Sequence, residues 1–89
     1  MKAIISVLGA DKPGIIAEIS GCLYRYNVNI LDITQTILSG YFTMVMMVDL
    51  SGMTCPFDGM TGELTRLGEK LGLEIRMQRN EIFDAMHRL

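Results

Sequence analysis

The strongest constraint on this chain is the order in which its apolar residues change period. Lys2 to Leu8 (KAIISVL) is short, rich in β-branched residues and stopped by Gly9, which predicts a buried strand. Gly9 to Gly14 supplies turn chemistry. Ile15, Ile16, Ile19, Cys22, Leu23 and Tyr26 then recur at helical spacing, and Asn27 suits the left-handed conformation that closes many helices. Val28 to Leu38 and Tyr41 to Leu50 are β-branched or alternating segments separated by Ser39-Gly40, the pattern of a hairpin. Phe57, Met60, Leu64, Leu67 and Leu71 step by three and four, with Thr54 as the expected N-cap and Gly72 as the closing residue. Leu73 to Gln78 alternates as a last strand. The order is strand, helix, strand, strand, helix, strand, a duplicated β-α-β unit. Its usual solution is an α+β ferredoxin-like sandwich, βαββαβ, with a four-stranded antiparallel sheet carrying both helices on one face.

Residues 1–78 form the expected domain and 79–89 a helical tail. In the tail Asn80 can cap, and Ile82, Phe83, Met86 and Leu89 make one apolar stripe that must dock on the domain or on a second copy. On strand three Phe42, Met44, Met46, Val48 and Leu50 share a face, yet Tyr41, Val45 and Met47 make the other face half apolar. Such a strand is covered on both sides or belongs to an interface. Of the 89 residues 49% are apolar, more than one small core absorbs, so a homodimer is expected. The eight methionines serve first as core filler, and three of them fall on strand three.

Composition excludes several partners. The net charge is −2 with the signs interspersed, which leaves no electrostatic footprint for nucleic acid or anionic lipid. Apolar runs fall far short of a membrane span and no secretory leader is visible, so a cytoplasmic location is expected. Cys22 and Cys55 have no neighbour at metal spacing and are expected to be reduced thiols.

The fold hosts many functions, so candidate sites decide. Gly52-Met53-Thr54-Cys55 copies the start of a copper-carrier loop, but Asp58 stands where the second thiolate is needed, and one thiol does not give Cu(I) its paired soft ligands. An RNA-binding sheet needs aromatics on strands one and three with basic neighbours, and strand one has none. A phosphate-hydrolysing loop needs an arginine after strand one, where only Lys12 stands, read as a solvated charge. The sole histidine, His87, lies in the tail and reads as a helix-end cation, so no nucleophile and base pair is visible and no enzyme is expected. No cofactor and no metal are called for.

What remains is Asp11-Lys12-Pro13-Gly14-Ile15, a turn running into a helix. Pro13 fixes φ, Gly14 permits close approach, and the free N–H groups of a helix start attract a carboxylate. Asp11 either caps the helix or engages an amino group, and Asn29 can both donate and accept, or serve as a plain turn residue.

These residues resemble a known family. Asp11-Lys12-Pro13-Gly14-Ile15-Ile16-Ala17, with Asn29-Ile30 and Asp32-Ile33, is similar to the ACT domain, a small regulatory module attached to amino-acid and purine enzymes. The likeness extends from Ala3 to Met77, and the whole chain looks like a group of stand-alone bacterial and archaeal ACT proteins. The resemblance implies pairing of domains and a ligand held where the loop after strand one and the start of strand two meet a neighbouring domain. Carried onto this chain, it picks Asp11, Gly14, Ile15, Asn29 and Ile30. The implied function is non-catalytic sensing of a small amino acid or related carboxylate, signalled through the dimer or a separate protein partner. The alternative is a ligand-free interaction or oligomerisation module.

Overall fold

A computed structural model describes residues 1–79. The expected tail helix lies outside the described residues. The elements are β1 (Lys2–Ala10), α1 (Ile15–Arg25), β2 (Asn29–Leu38), β3 (Tyr41–Asp49), α2 (Phe57–Leu71) and β4 (Leu73–Arg79). The sheet order is β2-β3-β1-β4 with every neighbouring pair antiparallel, which is the ferredoxin-like βαββαβ arrangement read from the sequence.

The alternation of each central strand explains the core. Ala3, Ile5 and Val7 of β1 and Phe42, Met44, Met46 and Val48 of β3 point to the helical side and are buried. They meet Ile15, Ile19, Cys22 and Leu23 of α1 and Met60, Leu64 and Leu67 of α2. Each of the buried Val, Leu, Ile, Phe and Met side chains contributes roughly 1.5–3 kcal/mol when removed from water, so this one layer holds the domain together. The β2–β3 hairpin closes through Ser39 at φ 51° and Gly40 at φ 80°, the two successive left-handed residues of a type I′ turn.

Local chemistry moves several boundaries. β1 continues through Gly9 to Ala10, because Gly9 pairs with both Phe42 and Leu73. A Cβ on Gly9 would lie 2.5 Å from Leu73 Cδ2 and 3.0 Å from the Gly72 carbonyl oxygen, so this glycine is a close-approach residue rather than a strand stop. Thr54 is not the cap of α2. The helix starts after Pro56, which has extended backbone and makes no side-chain cap, while the Thr54 N–H donates to the Tyr26 carbonyl at 3.0 Å. Asn27 (φ 59°) and Gly72 (φ 71°) close the two helices in the left-handed conformation as read.

One edge of the sheet is bare. Nine residues of β2 are exposed and Ile30 is half-buried, and β2 pairs on one side only, with β3. Ile33 and Ile37 lie opposite buried Met46 and Phe42, so they face the helical side, yet remain 39% and 59% exposed.

Candidate functional site

The loop after β1 is tied to the hairpin tip by the Asp11 N–H, which donates to the Gly40 carbonyl at 2.9 Å. Gly14 then turns the chain into α1 with φ 88° and ψ 0°, and its carbonyl accepts the first helical hydrogen bond from the Glu18 N–H at 2.9 Å. No side chain caps the helix. Gly14 therefore occupies the N-cap position, and the reading of Asp11 as a capping residue is corrected. A cap must sit one residue before the first helical turn, whereas Asp11 stands four residues before Ile15.

An uncapped helix leaves the N–H groups of its first turn available to a ligand, and the helix dipole favours a negative charge there. These groups open beside a hollow of about 360 Å³ whose lining includes Asp11, Lys12, Gly14 and Ile15, with Gln35 and Ile37 of β2 opposite. The hollow offers a carboxylate, an ammonium, an amide and an apolar wall. Gln35, Ile37 and Lys12 were not singled out as site residues from the sequence. The signal for the first two is their place on a strand that alternates without burying either face.

Asn29 lies elsewhere. It pairs with Asp49, and Asp49 pairs with Lys2, so Asn29 stands where β1 begins, while Asp11 follows where β1 ends. Eight strand steps separate the two positions, roughly 25 Å. Asn29 borders a second hollow of about 340 Å³ with Tyr24, Asn27 and Asp49. Asn27 is held there by donating from Nδ2 to the Gly52 carbonyl at 2.9 Å. The Asp49 carboxylate accepts from Ser51 Oγ at 2.6 Å and from the Ser51 N–H at 3.0 Å, and these two bonds hold its carboxyl below the usual carboxylate range. Ile30 is half-buried against the core, opposite Val48 and just before the bulge at Leu31. Within one chain Asp11, Gly14 and Ile15 come together, and Asn29 and Ile30 do not join them.

Cys22 is buried in the core and burial pushes its thiol up, partly offset by a hydrogen bond from Arg25. Among the described residues no three of His, Cys, Asp and Glu gather as a metal site, and no helix is long and apolar enough to cross a membrane.

The site is thus an uncapped helix start beside a small amphipathic hollow on a two-layer α+β domain. Comparison with known proteins gives the family. A family model described as the ACT domain matches residues 2–78, and the chain belongs to that family, a regulatory ligand-binding fold. A UPF0237 protein of Listeria innocua is 51% identical over 89 residues, covering 100% of both chains, and one from Methanocaldococcus jannaschii is 43% identical over 88 residues, covering 99% and 98%. The solved structure of an ACT domain protein from Streptococcus pneumoniae is similar with TM-score 0.82 and 42% identity over 93% of each chain. A formyltetrahydrofolate deformylase from Burkholderia mallei shares the fold at TM-score 0.79 and 14% identity, and the match covers 88% of this chain but 28% of that one.

Proposed function

We propose that this chain is a homodimeric ACT module that binds a small amino acid or related carboxylate between two copies and signals by the resulting change in assembly or in a partner protein. The observation that supports it best is the division of the candidate site between the two ends of an unpaired edge strand. If two copies pair their β2 edges antiparallel about a two-fold axis, the Asn29 end of one strand lies beside the Leu38 end of the other. The partner's Asn29 and Ile30 then reach the end of the sheet where Asp11, Gly14 and Ile15 border their hollow. Two equivalent sites form, each built from both copies. Neither copy holds a complete site alone, so ligand binding and pairing are linked, with a coupling typically of ~1–3 kcal/mol.

The experiment is a thermal-unfolding screen of proteinogenic amino acids, purines and carboxylates, followed by complementation of two variants. A ligand at about 100 times its dissociation constant adds ~2.7 kcal/mol, which a domain this small shows as a shift of several degrees. Asp11→Ala and Asn29→Ala should each abolish that shift. An equimolar mixture should recover about a quarter of the wild-type sites, because half of the dimers are mixed and each mixed dimer carries one intact site. No recovery on mixing, with both variants folded and dimeric, would place the two residues outside a shared site. Absence of any ligand-induced shift, with dimerisation intact, would favour the interaction module.

A further inference from the structure

One wall of the hollow beside the β1–α1 loop breaks its own pattern. On β2 the residues turned to the helical side are Ile30, Ile33, Gln35 and Ile37, opposite the buried Val48, Met46, Met44 and Phe42. Three are isoleucines and the fourth is a glutamine. An alternating strand carries an apolar residue at such a position when packing alone decides it. Gln35 is exposed and lines the hollow together with Ile37 and Phe42, and Ile16 and Ala17 of α1 line it as well. Among the described residues none hydrogen-bonds its side-chain amide.

The charges of the hollow are kept at one end. Its lining holds two charged residues, Asp11 and Lys12, both on the loop that follows β1. Leu38 pairs with Tyr41 and Tyr41 with Ala10, so that loop leaves the sheet level with Leu38. Gln35 stands three strand steps from there, about 10 Å. A ligand whose charged groups lie against the loop therefore turns its side chain toward Gln35 along an apolar stretch. The chemistry of that stretch sorts ligands. A charged side chain would be desolvated against Ile16 and Ile37 with no counter-ion, which is costly. An aliphatic one would cover the Gln35 amide and leave its donor and acceptor unpaired. A hydroxyl or an amide satisfies Gln35, which both donates and accepts.

We infer that the ligand is an amino acid with an uncharged, hydrogen-bonding side chain, and that Gln35 is the residue that reads it. The inference rests on the reading of this hollow as an amino-acid site and adds its specificity.

The test is a thermal-shift titration of the full chain with the proteinogenic amino acids, in wild type and in Gln35→Met. Two near-isosteric pairs carry the comparison, L-threonine against L-valine and L-asparagine against L-leucine. Gln35 is exposed, so the substitution removes the amide and leaves the core alone. In wild type, threonine and asparagine should reach half of their full shift at concentrations at least ~10-fold below those of valine and leucine. In Gln35→Met that preference should disappear or invert, while valine acts at no higher concentration than before. A change of ratio separates reading from a structural role, since a merely loosened fold weakens every probe together. A shift with charged or aliphatic amino acids only, or with valine and leucine at equal concentration, would overturn the inference and leave the amino-acid site standing. A preference for threonine and asparagine that survives Gln35→Met would overturn the role of Gln35. No shift with any amino acid, in a folded dimer, would remove the amino-acid site itself and this inference with it. Should Gln35→Met fail to fold, Gln35→Leu removes the same amide and must show the same loss of preference.

Discussion

Gly14 shows how one residue sets the geometry of the candidate site. A Cβ there would meet nothing within 4 Å, so space is not the constraint, but φ 88° is a backbone state that an L side chain enters at a cost. Gly14→Ala should lower stability by about 1–2 kcal/mol, checked by urea unfolding at constant slope. Loss of ligand response in that variant must be read against this structural loss, which makes Asp11→Ala the cleaner probe. Asp49 carries a pH effect. Its folded carboxyl is held below its unfolded value by Ser51, so the stabilisation is present above the usual carboxylate range and is lost as pH falls through the folded value. Ser51→Ala should flatten the acid limb of the stability profile below about pH 4. The left-handed residues Asn27 and Gly72 were legible in the sequence because few side chains tolerate that conformation, whereas Gly14 was read for close approach and its positive φ emerges only from the fold. The role of Asp11 was not, since a carboxylate near a helix start has the same sequence signature whether it caps the helix or faces a ligand.

At the scale of an element, α2 separates what glycine costs from what it permits. The sequence marks Gly59, Gly62 and Gly68 alike as helix-weakening. In the fold Gly62 is exposed with open space around its Cα, whereas a Cβ on Gly68 would stand 2.6 Å from the Leu73 carbonyl oxygen. Gly62→Ala should therefore raise stability by up to ~1 kcal/mol from helix propensity alone. Gly68→Ala should lower it, because overpacking against a backbone carbonyl costs ~1–3 kcal/mol and exceeds the same gain. Paired melting curves of the two variants check the opposite signs. At the start of the same helix Thr54→Ala should change stability by no more than about 0.5 kcal/mol, against ~1 for a true cap. Helix and strand periods were readable because burial of one face enforces them. The cap and the Gly68 contact were not, because each depends on the path of a segment distant along the chain.

The whole molecule decides the function, and the sequence conceals how. Asp11 and Asn29 stand 18 positions apart, yet the α1 crossover carries the chain back to the opposite end of the sheet, so nearness in sequence becomes separation in space. In the proposed pair the two-fold symmetry would reunite them, and a single chain's pattern does not encode a symmetry axis. What the sequence does carry is the edge itself: a ten-residue strand whose Ile33 and Ile37 face the helical side yet stay 39% and 59% exposed. Natural edges left open to solvent are usually blunted by charge, proline or a bulge; β2 has its charge and bulge at Asp32 and Leu31, while Ile33 to Leu38 carries none of these, which fits a stretch kept available for pairing. Ile33→Lys places a charge at mid-strand, on a side chain already 39% exposed, so the monomer fold should tolerate it. Sedimentation equilibrium should show wild type as a dimer and Ile33→Lys as a monomer, and the melting temperature should rise with protein concentration for the wild type only. If each site takes residues from both copies, as proposed, the same variant should also lose the ligand-induced shift while keeping Asp11, Gly14 and Asn29 unchanged. A monomeric Ile33→Lys that still responds fully to ligand would show that the hollow beside Asp11 is sufficient alone, and would remove the structural basis for coupling binding to assembly.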